Sequence, residues 1–204
     1  MKKSRIFIYL TYMFLLLIIL VSCSSDAKLE SKYNQVKIDK SSPQKIIEES
    51  YKFETKINAK LLAQCFYQLK SDVSFLMLKI KCFNVEKVSL TKLAKIEQKD
   101  NFAVASCVYS TYFSGIITPR QDIEVVKFIK DKDGWCILSN VDDVINISEE
   151  DRAWLNSTEI KQKNYIWTDE STRKVLDSQT DFDESNKKIM EAGSEKLKAA
   201  MGEK

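Results

Sequence analysis

The 204-residue chain contains no histidine. That absence excludes serine–histidine and cysteine–histidine nucleophile pairs, and it removes the commonest general base and metal ligand. No two of the five cysteines stand as CxxC, so a zinc site has no framework. A surplus of positive charge is missing too. The formal charge of +3 is carried entirely by Lys2, Lys3 and Arg5 at the N-terminus, and the rest is neutral. Nothing there makes an electrostatic case for a nucleic-acid partner. The sequence therefore presents no catalytic residue set, no cofactor motif and no metal site.

What is present begins with the first segment. Lys2, Lys3 and Arg5 precede an apolar run from Ile6 to Val21, broken only by Thr11 and two tyrosines. A charged start followed by a short apolar stretch is the layout of an export signal. The run falls short of the roughly 20 residues that a membrane-crossing helix needs. No Ala-x-Ala site of a plain secretory signal follows it. Instead it ends Leu20-Val21-Ser22-Cys23, and Ser24-Ser25-Asp26 turn polar at once. These four residues resemble the lipobox of bacterial lipoproteins. The resemblance implies cleavage between Ser22 and Cys23, attachment of lipid to the Cys23 thiol, and a membrane lipid as first partner. Each buried lipid CH₂ adds about 0.8 kcal/mol, and two or more acyl chains give stable anchoring. The expected location is the cell membrane or the outer membrane, outside the cytoplasm. In a host with two membranes, serine after the lipidated cysteine resembles the outer-membrane sorting pattern.

Residues 1–22 are thus expected to be a signal peptide and 23–41 a polar, lysine-rich tether. Ser41-Ser42-Pro43-Gln44 marks a helix start, with Gln44 three residues after a capping Ser41. Ile46, Ile47 and Tyr51, then Ile57, Leu61, Leu62, Cys65, Phe66 and Leu69, recur at helical spacing. They predict helices over about 43–55 and 58–70, with Ser71-Asp72 capping a third to about Leu78. The period then changes. Val88, Leu90, Ala94 and Ile96 share one parity. Phe102–Tyr109 and Ile123–Ile129 are β-rich, and Asp131-Lys132-Asp133-Gly134 turns into Trp135–Leu138. Four strands joined by short turns predict an antiparallel meander whose apolar face is covered by the preceding helices. After Val144 the helical pattern returns. Ser148-Glu149-Glu150-Asp151 reads as a capping box, and Asp183–Lys204 as a weakly held helix or frayed tail.

Helices followed by a meander that closes on "DKDGWCIL" resemble the NTF2-like (cystatin-like) α+β fold. Residues 42–142 are similar to small bacterial lipoprotein domains of the DUF4878 type. The carriers of that likeness are Ser42-Pro43, the alternating Phe102–Val108 and Asp133-Gly134-Trp135. The resemblance implies N-terminal helices packed on a curved sheet, a cone with a pocket at its open end. It covers 42–144, leaving 145–204 as a helical C-terminal extension. Some relatives are isomerases or dehydratases with histidine–aspartate or tyrosine–aspartate pairs. The first kind is excluded here. The second would draw on Tyr51, Tyr67, Tyr109 and Asp72, although tyrosine on an apolar face is more often core and Asp72 a helix cap.

Other motifs carry less. Asp181–Asn186 starts like a calcium loop but has Asn186 where glycine is needed and Ala192 in place of the closing glutamate. Asn146-Ile147-Ser148 and Asn156-Ser157-Thr158 fit a glycosylation pattern that a bacterial lipoprotein does not normally use. Cys65, Cys82, Cys107 and Cys136 lie in apolar stretches and suit buried thiols, with two disulfides as the alternative outside the cytoplasm. Trp154, Tyr165 and Trp167 suit packing of the extension more than an exposed sticky surface. The leading expectation is a membrane-anchored, non-enzymatic binding or scaffold domain with an envelope protein partner. The alternatives are a carrier of a small apolar ligand in the cone and a histidine-free Tyr/Asp enzyme.

Overall fold

The structure, a computed structural model, describes residues 36–56, 58–68 and 73–202. Ser22, Cys23, Ile57, Leu69, Ser71 and Asp72, all singled out above, lie outside these residues. One compact unit begins at Ile38 and takes in the described residues from there on. It is α+β: three helices, a four-stranded antiparallel meander in the order β1-β2-β3-β4, and three further helices. This is the element order that the family resemblance implies.

Helix α1 is Pro43–Thr55. Its cap is Ser42, one residue later than expected. The Ser42 hydroxyl accepts the Lys45 N–H at 3.1 Å, while Gln44 turns away to Glu48. Proline at the first helical position lacks only an N–H that would have been unpaired there. Helix α2 is Ala59–Ala63, capped by the Asn58 side chain on the Leu61 N–H. It is much shorter than the predicted 58–70. Past Gln64 the helix gives way to a turn and a single bridge at Phe66, because the flanking backbone is claimed by the sheet. The Ile137 N–H donates to the Cys65 carbonyl, and the Tyr67 N–H to the Ile137 carbonyl, both at 2.8 Å. That pairing covers the outer edge of the last strand, which would otherwise be left unpaired. Helix α3 is Val73–Cys82.

The strands are β1 Val85–Lys99, β2 Phe102–Phe113, β3 Arg120–Asp131 and β4 Gly134–Leu138. The single parity predicted for β1 does not hold. Its register against β2 slips after Val85, Leu90 and Leu93. Each slip adds a residue, bends the strand and moves the following side chains to the other face. Strand β2 is buried almost throughout because both of its faces are covered. The β3–β4 turn requires its glycine. Gly134 has φ +117, and a Cβ there would lie 2.6 Å from the Lys40 carbonyl oxygen. That carbonyl accepts the Trp135 N–H at 2.9 Å, tying the start of the folded unit to the hairpin.

Helix α4, Glu149–Thr168, is capped by Ser148 on the Asp151 N–H, as the sequence predicts. It packs on one face of the sheet, where Leu155 meets Phe102, Val104, Ile129 and Leu138, with Trp154 at the margin. Ser106 and Gln162 are both wholly buried in this layer and satisfy each other at 2.7 Å. Helix α5, Glu170–Ser185, lies along β3. Strand β4 pairs only with Lys127–Asp131, so the first half of β3 has no strand on its outer side. Helix α6, Lys187–Met201, takes the helical one of the two forms expected of this stretch. It returns to α3, where Gly193 fits against the ring of Phe83. Tyr165 stacks under the Lys95 ammonium at 5.0 Å, while Trp167 stays 68% exposed.

Candidate functional site

The face of the sheet opposite α4 is filled only in part, since Ala103, Ala105, Cys107 and Phe128 are buried there while the stretch beyond them borders open space. A partly open cavity of about 630 Å³, within the range of small-molecule sites, lies between this face, α1 and α3, and its lining continues to Val125, Lys127, Leu138 and, from α4, Glu159. Four residues of α1 at helical spacing form one wall: Ile47, Ser50, Tyr51 and Glu54. Leu76, Lys79 and Ile80 of α3 form a second. The floor is made by alternate residues of two paired strands. Tyr109, Thr111 and Phe113 come from β2, and Arg120, Asp122, Glu124 and Val126 from β3. Tyr109 stands directly across the ladder from Asp122, and Cys107 from Glu124. Phe83 and, from α6, Met190 complete the rim, so the C-terminal extension contributes to the enclosure.

Polar groups converge inside. The Tyr51 hydroxyl donates to Glu124 Oε1 at 2.7 Å. The rings of Tyr51 and Tyr109 lie 5.2 Å apart, tilted by 33°. Glu124 is exposed to the cavity's interior yet walled in by protein. Loss of water raises its carboxyl above the usual range, partly offset by the Tyr51 hydrogen bond and the Lys79 charge. Glu54 is pushed up to about 7, first by burial and then by the charge of Glu124, with Lys79 opposing. Glu54 has no hydrogen-bond or ion-pair partner among the described residues. Burial and the same carboxylate raise both tyrosine hydroxyls, so both stay protonated donors. At the far end Arg120 is fully engaged. Its Nε and Nη2 hold the two oxygens of Asp183 at 2.8 and 3.0 Å, and Nη1 reaches Asp122. Gln179 donates to Asp122 at 2.8 Å.

Of the tyrosines named from sequence, the structure brings Tyr51 and Tyr109 together in the cavity. Tyr67 goes elsewhere, packing at the margin of the α4 layer. The acids that face the tyrosines are glutamates, Glu54 and Glu124, which sequence reasoning missed. A signal existed for each. Glu54 interrupts the apolar stripe of α1, and Glu124 shares the parity of Val126 and Phe128. Asp183, from the rejected calcium motif, is the partner of Arg120. Cys65, Cys82, Cys107 and Cys136 are free thiols, three of them buried. Burial raises Cys65 to about 12, far from a reactive thiolate. Among the described residues no helix is long and apolar enough to cross a membrane.

No family model matches the chain. No curated protein matches it either. Among solved structures it is similar to an NTF-2 like protein of unknown function from Shewanella oneidensis MR-1. The match has 9% identity and a TM-score of 0.36, and covers 46% of this chain and 89% of that one.

Proposed function

We propose that the chain is a membrane-anchored lipoprotein of the NTF2-like, DUF4878-related type, whose folded domain is a non-enzymatic binding module for a small molecule. The observation that carries the binding reading is the unfilled cavity between α1, α3 and the sheet. A partly open space of that size, bordered by buried side chains, contrasts with the packed interior, where few voids are larger than water. Apolar walls with a few converging polar groups are the usual composition of a ligand site. The lipid anchor at Cys23 and the envelope location rest on the Leu20–Cys23 motif and the short apolar run before it.

Two measurements test this. Intact mass with membrane fractionation should show loss of residues 1–22 and a lipid-sized gain, both abolished by Cys23→Ala. An unlipidated wild-type mass would remove the anchor from the proposal. For the cavity, native mass spectrometry of protein from its own host should show a small molecule that Leu76→Trp displaces. A second reading, a histidine-free acid–base enzyme, is favoured by one observation: the unpartnered Glu54 with its proton poised near neutrality. A captured molecule that turns over on the wild type, but not on Glu54→Gln, would favour the enzyme.

A further inference from the structure

Charge is distributed unevenly over the cavity wall. Lys127 is held by Glu159 at 2.8 Å, and Arg120 by Asp183 and Asp122. What still faces the open space is Glu54 and Glu124 against the single Lys79. Glu124 accepts the Tyr51 hydroxyl, the Tyr51 ring lies against that of Tyr109, and Glu54, one turn on from Tyr51, lines the same space. Ring faces and carboxylates attract the same kind of group, a positive charge. The rest of the wall near them is aliphatic and aromatic: Ile47, Leu76, Ile80 and Phe83.

Given the cavity as a ligand site, on which this inference rests, we propose that its ligand is a cation carried on an apolar body, such as an amine. The positive group sits between Glu54 and Glu124, under the tyrosine rings, and the apolar part lies against α3. An anion there would meet two carboxylates and one ammonium. A neutral molecule would leave Glu54 without a partner. The ammonium takes the place that a proton occupies on Glu54 in the empty site. Burial first, then the charge of Glu124 on β3, with Lys79 on α3 opposing, set that proton's affinity, and the neutral hydroxyls of Tyr51 on α1 and Tyr109 on β2 line the same space. Cation binding therefore releases a proton near neutral pH.

The test uses the full chain and three probes that share an indole body: tryptamine, tryptophol and indole-3-propionate. Isothermal titration calorimetry should find tryptamine about tenfold tighter than tryptophol, the scale of one charge-assisted hydrogen bond, and indole-3-propionate weakest. Glu54→Gln and Glu124→Gln should each reduce the tryptamine advantage, and Leu76→Trp should block all three probes. Buffers of different ionisation heat should reveal proton release with tryptamine and none with tryptophol. Equal binding of tryptamine and tryptophol, or an advantage that survives both glutamine substitutions, overturns the cation proposal and leaves the cavity reading standing. Failure of all three probes, or binding that ignores Leu76→Trp, overturns both.

Discussion

On one face of the sheet Phe102, Val104 and Ile129 close on Leu155, and even the polar Ser106 and Gln162 are buried and matched. On the other face Tyr109 and Glu124 line open space, while Asp122 beside them is held by Arg120 and Gln179. The two faces are made by neighbouring residues of the same strands, so strand propensity cannot explain the difference. What differs is the cover. Helix α4 packs along its face, whereas α1 is tied to β1 through Thr55 and Val88 and the space between its Tyr51–Glu54 turn, α3 and the strands is left partly open. One face is filled to the density that stability requires, and the other holds ionisable groups at raised proton affinity. Such groups weaken a fold unless something else, a proton or a ligand, meets their charge.

The sharpest way to break the comparison is to make equivalent deletions on both faces. Val104→Ala, wholly buried in the filled layer, should cost about 2–3 kcal/mol, the usual cost of an aliphatic truncation in a core. Val126→Ala, on the cavity face, should cost about 1 kcal/mol, because the hole opens onto existing space. Urea denaturation of both variants checks the ratio, and equal losses would mean that the faces are packed alike. Next in size is Gln162→Ala. It strands the Ser106 hydroxyl in a dry layer and should cost about 2 kcal/mol by the same assay.

The cavity face should also show itself by pH. The folded state holds the Glu54 proton up to about 7, whereas an unfolded glutamate releases it near 4.5. The stability from this proton is fully present below the unfolded value and is lost as pH rises through the folded one. Thermal melts should therefore show stability falling between about pH 4.5 and 7, by about 1–3 kcal/mol at most. Glu54→Gln should flatten that slope and melt higher than wild type at pH 8. An unchanged slope would place the titration elsewhere. The smallest expected effect is Tyr51→Phe, at about 1 kcal/mol. Its informative readout is the Glu124 carboxyl carbon resonance, which should titrate at higher pH once the Tyr51 donor is gone.

Much of this architecture was legible in the sequence because its signals are local. Ser42-Pro43 can start a helix by itself, Asp133-Gly134 can turn a hairpin, and the alternation of β2 marks a strand wherever it lies. The misreadings came where a distant segment decided the outcome. Residues after Gln64 carry helical spacing, yet Ile137 draws their backbone into the sheet. Strand β1 has one apparent parity, yet its register with β2 slips three times. The site was half legible. Tyr51 and Tyr109 could be named as candidates, but their acidic partners could not, since nothing local says which side of a helix or strand will border a void.

By itself the sequence determined the helices-then-meander order, the absence of histidine chemistry and the lipobox-like motif before Ser24. Those follow from composition, short-range spacing and a four-residue motif. Only the tertiary structure decided that Glu54 and Glu124, 70 positions apart, face one space. It alone decided that Asp183 neutralises Arg120 and that one face of the sheet is left partly open. Those outcomes depend on how each helix packs on the sheet, a property of the packed whole and not of any stretch of chain.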